Sequence, residues 1–120
     1  MESTITMNVV LNNLLKNIPG DMPQELFQPL LEGRAFRLER IVSDGHQSAA
    51  NFWSDQPCDE WVVLLTGSAT ISFADQGQAI DLAPFDYLHI PSGCRHRVSR
   101  TSSEEKTVWL ALHFDSAVES

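Results

Sequence analysis

From Arg34 to Phe114 the apolar positions fall into short stretches, each closed by a turn signal. Phe36, Leu38 and Arg40 alternate with Arg37, Glu39 and Ile41, the period-two pattern of a half-buried strand. Asp44-Gly45 closes that strand, and Phe52-Trp53 opens another that Pro57 cuts. Glu60 to Leu65 is almost continuously apolar and predicts a strand buried on both faces, or nearly so. Thr66-Gly67 turns the chain into Ala69 to Phe73, and Asp75-Gln76-Gly77-Gln78 reads as a hairpin loop with glycine at a position suited to positive φ. Ala79 to Leu82 follows, then a turn at Ala83-Pro84-Phe85-Asp86, a strand from Tyr87 to Ile90, and a turn at Pro91-Ser92-Gly93. His96 to Arg100 and Thr107 to Phe114 are the last strands, separated by a polar loop. Short strands with turns every roughly 8–12 residues predict an all-β sandwich or barrel.

The first 33 residues differ in pattern. Leu11, Leu14 and Leu15 stand at helical spacing before Ile18-Pro19-Gly20, which ends any helix there. Glu25 to Leu31 predicts a short amphipathic turn, with Pro29 restricting it to a single turn or a 3₁₀ segment. The expected organisation is an N-terminal extension with short helical turns over 1–33, a barrel over 34–114 and a tail over 115–120. The apolar residues of the extension either cap their own barrel or pack on a second copy. Spare sheet edges of a small barrel are commonly covered by a partner strand, so a homodimer is expected.

Composition narrows the function. An apolar fraction of 42% with 20% charged residues describes a globular chain. A formal net charge of -8 argues against nucleic acid, which needs a positive surface. The eight basic residues include two groups, Arg34, Arg37 and Arg40, and Arg95, Arg97 and Arg100. They read as solvated strand faces, or, since Arg95 and Arg97 flank His96, as an anion-binding rim. Cys58 and Cys94 are too few for a disulfide scaffold and predict reduced thiols in a cytoplasmic protein. No apolar run approaches a membrane span, and the N-terminal stretch lacks the basic and apolar regions of a secretory signal. Nucleophile elbows, phosphate-cradling glycine loops and Cys-x-x-Cys are all missing.

Two stretches carry candidate chemistry. In FWSDQPCDEWVVLLTG (52–67) Glu60 and Gly67 are separated by six residues; in DYLHIPSGCRHRV (86–98) Pro91-x-Gly93-x-x-His96 follows a strand. Together they resemble the cupin superfamily of double-stranded β-helix (jelly-roll) barrels, over roughly residues 34–114. The family's first motif ends in the same Glu-to-Gly spacing, and its second contains the same Pro-x-Gly-x-x-His. The chain departs from it in three places. Phe85 stands for the first glycine of the second motif and Arg100 for its terminal asparagine. The family's His-x-His falls on Ser54 and Gln56 with a short spacing, or on Trp53 and Asp55 with a long one, and neither supplies a histidine.

The resemblance implies a divalent transition metal (Mn, Fe, Ni or Zn) held by His96 and Glu60, and nearness in sequence makes Asp55, Gln56 and His46 the candidate completing donors. Mixed imidazole and carboxylate ligands suit such ions. Asp59 is expected on the surface, His89 in a strand and bonded to backbone, and His113 either buried or facing the lumen. Phe36, Phe73, Trp109 and Phe114 form the expected packing set. Three functions stay open. The chain is a metal-dependent enzyme acting on a small organic ligand as an oxygenase, isomerase or lyase; a non-catalytic binding or sensor module; or a metal-free dimerisation domain.

Overall fold

The computed structural model describes residues 9–49, 51–75 and 77–115. The expected tail beyond Asp115 and the loop residue Gln76 lie outside them. Eight strands form: β1 (Leu26–Glu32), β2 (Phe36–Ser43), β3 (Asp59–Thr66), β4 (Ala69–Phe73), β5 (Gln78–Leu82), β6 (Tyr87–Ile90), β7 (His96–Thr101) and β8 (Thr107–Phe114). All pair antiparallel, in a five-stranded sheet of order β1-β2-β8-β3-β6 and a three-stranded sheet of order β5-β4-β7. This is the all-β architecture that the strand pattern predicts and the jelly-roll barrel that the resemblance implies. Among the described residues no helix is long and apolar enough to cross a membrane.

The alternation along β3 and β8 divides the core in two. Val62, Leu64, Trp109 and Ala111 point between the sheets and pack with Ala69, Ile71, Phe73, Leu82 and Ile90. Their neighbours in sequence, Leu65 and Val108, join Val42 in a second cluster, which Ile18 and Met22 of the N-terminal segment complete. Ile18 and Met22 therefore pack on their own barrel, whereas Leu11, Leu15, Phe27, Leu30 and Leu31 are exposed. Arg40 fastens the N-terminal segment: Nε donates to Gln28, Nη1 to the carbonyls of Leu14 (3.0 Å) and Lys16 (2.7 Å), and Nη2 to that of Asn17. Of the expected packing set, Phe73 and Trp109 are buried, whereas Phe36 is exposed and Phe114 half-buried.

Two expected elements are different. The helical turn over Glu25 to Leu31 is instead the edge strand β1, paired to β2 from Leu26↔Val42 to Glu32↔Arg37. Pro29 lacks a donor, which an edge strand tolerates and an interior strand does not; the register shifts between Pro29 and Leu31. The leucines near residues 11–15 form no helix, only a turn in which Asn13 accepts from the backbone of Leu15 and Lys16. The strand expected at Phe52-Trp53 reduces to a single bridge, Ser54↔His96.

Phe85 adopts φ 74° at the turn before β6. The left-handed region costs an L-residue about 1–2 kcal/mol, while glycine escapes that cost but loses about 0.5–1 kcal/mol of chain entropy. The ring is 75% exposed and contributes little burial. Phe85→Gly is therefore expected to stabilise the fold by about 0.5–1 kcal/mol in urea titration. A destabilised variant would show that the exposed ring contributes more than the backbone strain costs.

Candidate functional site

The inner face of the barrel is not uniformly apolar. On β2 the inward row is Arg37, Glu39 and Ile41; on β8 it reaches His113; on β3 it begins at Glu60. Register places Arg37, His113 and Glu60 side by side across β2, β8 and β3. From the other sheet β7 contributes His96, and the Ser54↔His96 bridge brings Ser54 and Gln56 alongside. These groups line a cavity of about 420 Å³, walled on its apolar side by Phe27, Phe52, Val62, Ile71, Ile90 and Trp109.

Two histidine–carboxylate pairs stand in it. The His96 Nδ1–H donates to the Cys94 carbonyl at 2.9 Å, and its Nε2 lies 3.3 Å from Oε1 of Glu60. Gln56 Nε2 donates to that same oxygen at 2.9 Å. His113 Nε2 meets Oε2 of Glu39 at 2.9 Å, and Arg37 Nε lies 3.7 Å from the other oxygen of Glu39. The His113 Nδ1 and the Trp109 Nε1 are buried with no partner among the described residues.

The environment separates the two members of the first pair. Burial opposes charge on Glu60, but the hydrogen bond from His96, the fields of His113 and His96, and the Gln56 amide outweigh it and hold the carboxyl below its ordinary value of 4.5. Burial likewise opposes charge on His96. The Glu60 carboxylate and the Cys94 carbonyl outweigh it and raise the ring above its ordinary 6.5.

Of the five residues expected to hold a metal, the structure brings three together: Gln56, Glu60 and His96. Asp55 is exposed, because residues 54 and 56 face inward and the extended backbone turns 55 out. His46 is held away from the cavity by its own loop. Its Nδ1 accepts from the Asp44 amide, and its Nε2 lies 3.3 Å from the Pro23 carbonyl.

The donor set does not fit a divalent metal centre. Among the described residues no three His, Cys, Asp or Glu side chains are arranged to hold an ion. Each cavity imidazole directs Nε2 at its own carboxylate, and the Gln56 amide directs its hydrogens, not its oxygen, at Glu60.

Glu39 is a site residue that the sequence reading did not single out, and Arg37 was named there only as one of a basic group. Asp59, expected on the surface, is buried. It accepts from the Ser92 amide and lies 2.7 Å from Nε2 of the exposed His89, so His89 pairs with a side chain and not with backbone. Cys58 and Cys94 are free thiols, both half-buried.

The family model for the Cupin domain matches residues 41–113. A Ralstonia eutropha JMP134 protein named as a candidate mannose-6-phosphate isomerase is similar at 45% identity, over 89% of this chain and 99% of that one, with a TM-score of 0.86. A cupin superfamily protein from Desulfitobacterium hafniense DCB-2 is similar at 23% identity, over 82% and 84%, with a TM-score of 0.67. A Streptococcus pyogenes protein of unknown function shares the fold at 16% identity, over 94% and 93%, with a TM-score of 0.71. No curated protein matches the sequence.

Proposed function

The chain belongs to the cupin family, and from that premise we propose that its cavity binds a small organic molecule and moves protons on it by isomerase-type chemistry. The observation that carries this reading is the His96–Glu60 pair at 3.3 Å, facing the cavity. The two groups hold each other in their charged forms, which sets a proton donor beside a proton acceptor in one site. His96, raised, is the acid that donates to a carbonyl or hydroxyl oxygen. Glu60, held as carboxylate, is the base that accepts a proton from an adjacent carbon. His113 and Glu39 form a second pair one strand away, next to Glu60 in register, and the field of His113 helps keep Glu60 a carboxylate. The name carried by the Ralstonia protein lies in the same reaction class.

The test is solvent exchange. Protein purified without chelator is analysed for metal, then incubated in D₂O with a panel of hydroxy-aldehydes, hydroxy-ketones and their phosphate esters. Deuterium incorporation next to the carbonyl is followed by NMR. Expected is protein-dependent exchange that His96→Gln and Glu60→Gln both abolish, at metal content well below one per chain. Ligand binding with no exchange would overturn the catalytic reading and make the barrel a binding or sensor module. One divalent transition metal per chain, with exchange lost on chelation, would overturn the metal-free reading instead.

A further inference from the structure

We infer that the molecule this cavity takes is a small organic anion, whose carboxylate or phosphate is bound by Arg97 with Arg37. The inference rests on the ligand-binding reading above and adds the class of ligand. Arg97 follows His96 on β7 and lines the same cavity. Its guanidinium is fixed in place by the backbone: Nε donates to the Ala49 carbonyl at 3.2 Å and Nη2 to that of Ser48 at 3.0 Å. The Trp53 ring centre lies 5.9 Å from it. Among the described residues it has no acidic partner, and this in a chain of net charge -8. The contrast with its neighbour is direct, for Arg95 lies outside the cavity and pairs with Asp75 at 2.8 Å.

A guanidinium carries five N–H donors in a planar fork that matches carboxylate and phosphate oxygens. Backbone carbonyls occupy two of those on Arg97 and leave Nη1 whole. Arg37 adds a second cation, nearly half exposed; among the described residues its ion pair is with Glu39, through Nε at 3.7 Å, and Glu32 lies opposite it in register. The cavity carboxylates do not compete for Arg97. Glu60 is taken by His96 and Gln56, Glu39 by His113, and Glu25 accepts from the Ser43 hydroxyl. A preorganised cation without a resident anion, with a second guanidinium to assist it and an acid–base pair beside it, is what an anionic substrate needs to be held with its reactive end at His96 and Glu60.

The experiment compares glucose, glucose 6-phosphate and glucuronate by calorimetry and by quenching of tryptophan fluorescence. At least one of the two anions is expected to bind about tenfold or more tighter than the neutral sugar, since a charge-assisted bidentate contact contributes at least that much. The two anions separate a phosphate site from a carboxylate site. Arg97→Met is expected to remove the preference, Arg37→Met to reduce it, and Arg95→Met, an equal change in net charge, to leave it intact. Circular dichroism checks that each variant folds, and Arg37→Met keeps the test open should Arg97→Met not fold. Neutral sugar bound as tightly as both anions would overturn the inference while leaving the proposed chemistry standing. Anion binding without deuterium exchange would overturn the chemistry while leaving the inference standing. No binding of any of the three would overturn the anion site.

Discussion

Gly67→Ala is expected to destabilise the protein by about 2–5 kcal/mol, the sum of two independent costs. The first is conformational: Gly67 sits at φ 84°, where an L-residue costs about 1–2 kcal/mol. The second is steric. A Cβ there would lie 2.3 Å from Thr107 Oγ1, 2.7 Å from its Cα and 2.9 Å from its Cβ. Thr107 is fully buried, paired to Ser43 in β2 and donating its hydroxyl to the Ser68 carbonyl, so it cannot swing aside. Overpacking of this kind costs about 1–3 kcal/mol. Gly77 is the control. It also has positive φ, 57°, but nothing lies within 4 Å of its would-be Cβ, so Gly77→Ala carries the conformational cost alone. Urea denaturation of both variants measures the difference. Equal losses would show that β8 yields at Thr107. The consequence reaches the site, since Gly67 ends the strand that begins with Asp59 and Glu60 and already shifts register between Leu64 and Thr66.

The strands from Phe36 onward were legible because their core is two-sided and their turns are marked. Gly45, Gly77 and Gly93 all take positive φ at turns that the sequence marks. The edge strand β1 was not legible. Its residues are mostly exposed, so burial imprints no clean alternation, and Pro29 reads as a helix breaker when it is an edge-strand proline. The site was half legible for a related reason. His96 and Glu60 stand at motif spacings, and parity then places Ser54 and Gln56 inward with them and Asp55 outward. The same parity along β2 puts Arg37 and Glu39 inward with Ile41. The usual expectation of apolar residues inside assigns such charged positions to solvent, because it has no place for a polar lumen. His46 was proposed on nearness in sequence, and its loop turns it to the Asp44 amide and the Pro23 carbonyl.

Glu60→Ala is expected to cost about 3 kcal/mol, the lower end for breaking a buried pair because the cavity admits water. The side chains of His96 and Glu60 are 9% and 12% exposed. Without the carboxylate, His96 loses the partner that offsets its burial, and Gln56 loses its acceptor. The pH dependence identifies the cause. His96 is raised, so its contribution is fully present below the ordinary value of 6.5 and is lost as pH climbs through the higher folded value. Glu60 is lowered, so its contribution is present above the ordinary 4.5 and is lost as pH falls through the lower folded value. The pair therefore stabilises most between pH 4.5 and 6.5 and declines on both sides. In Glu60→Gln the shape is kept and the charge removed, so this maximum should flatten. The His96 ring, followed by NMR, should then titrate lower than in the wild type. An unmoved ring titration would mean that His96 takes its proton affinity from the Cys94 carbonyl alone, and the acid–base assignment of the cavity would fall with it.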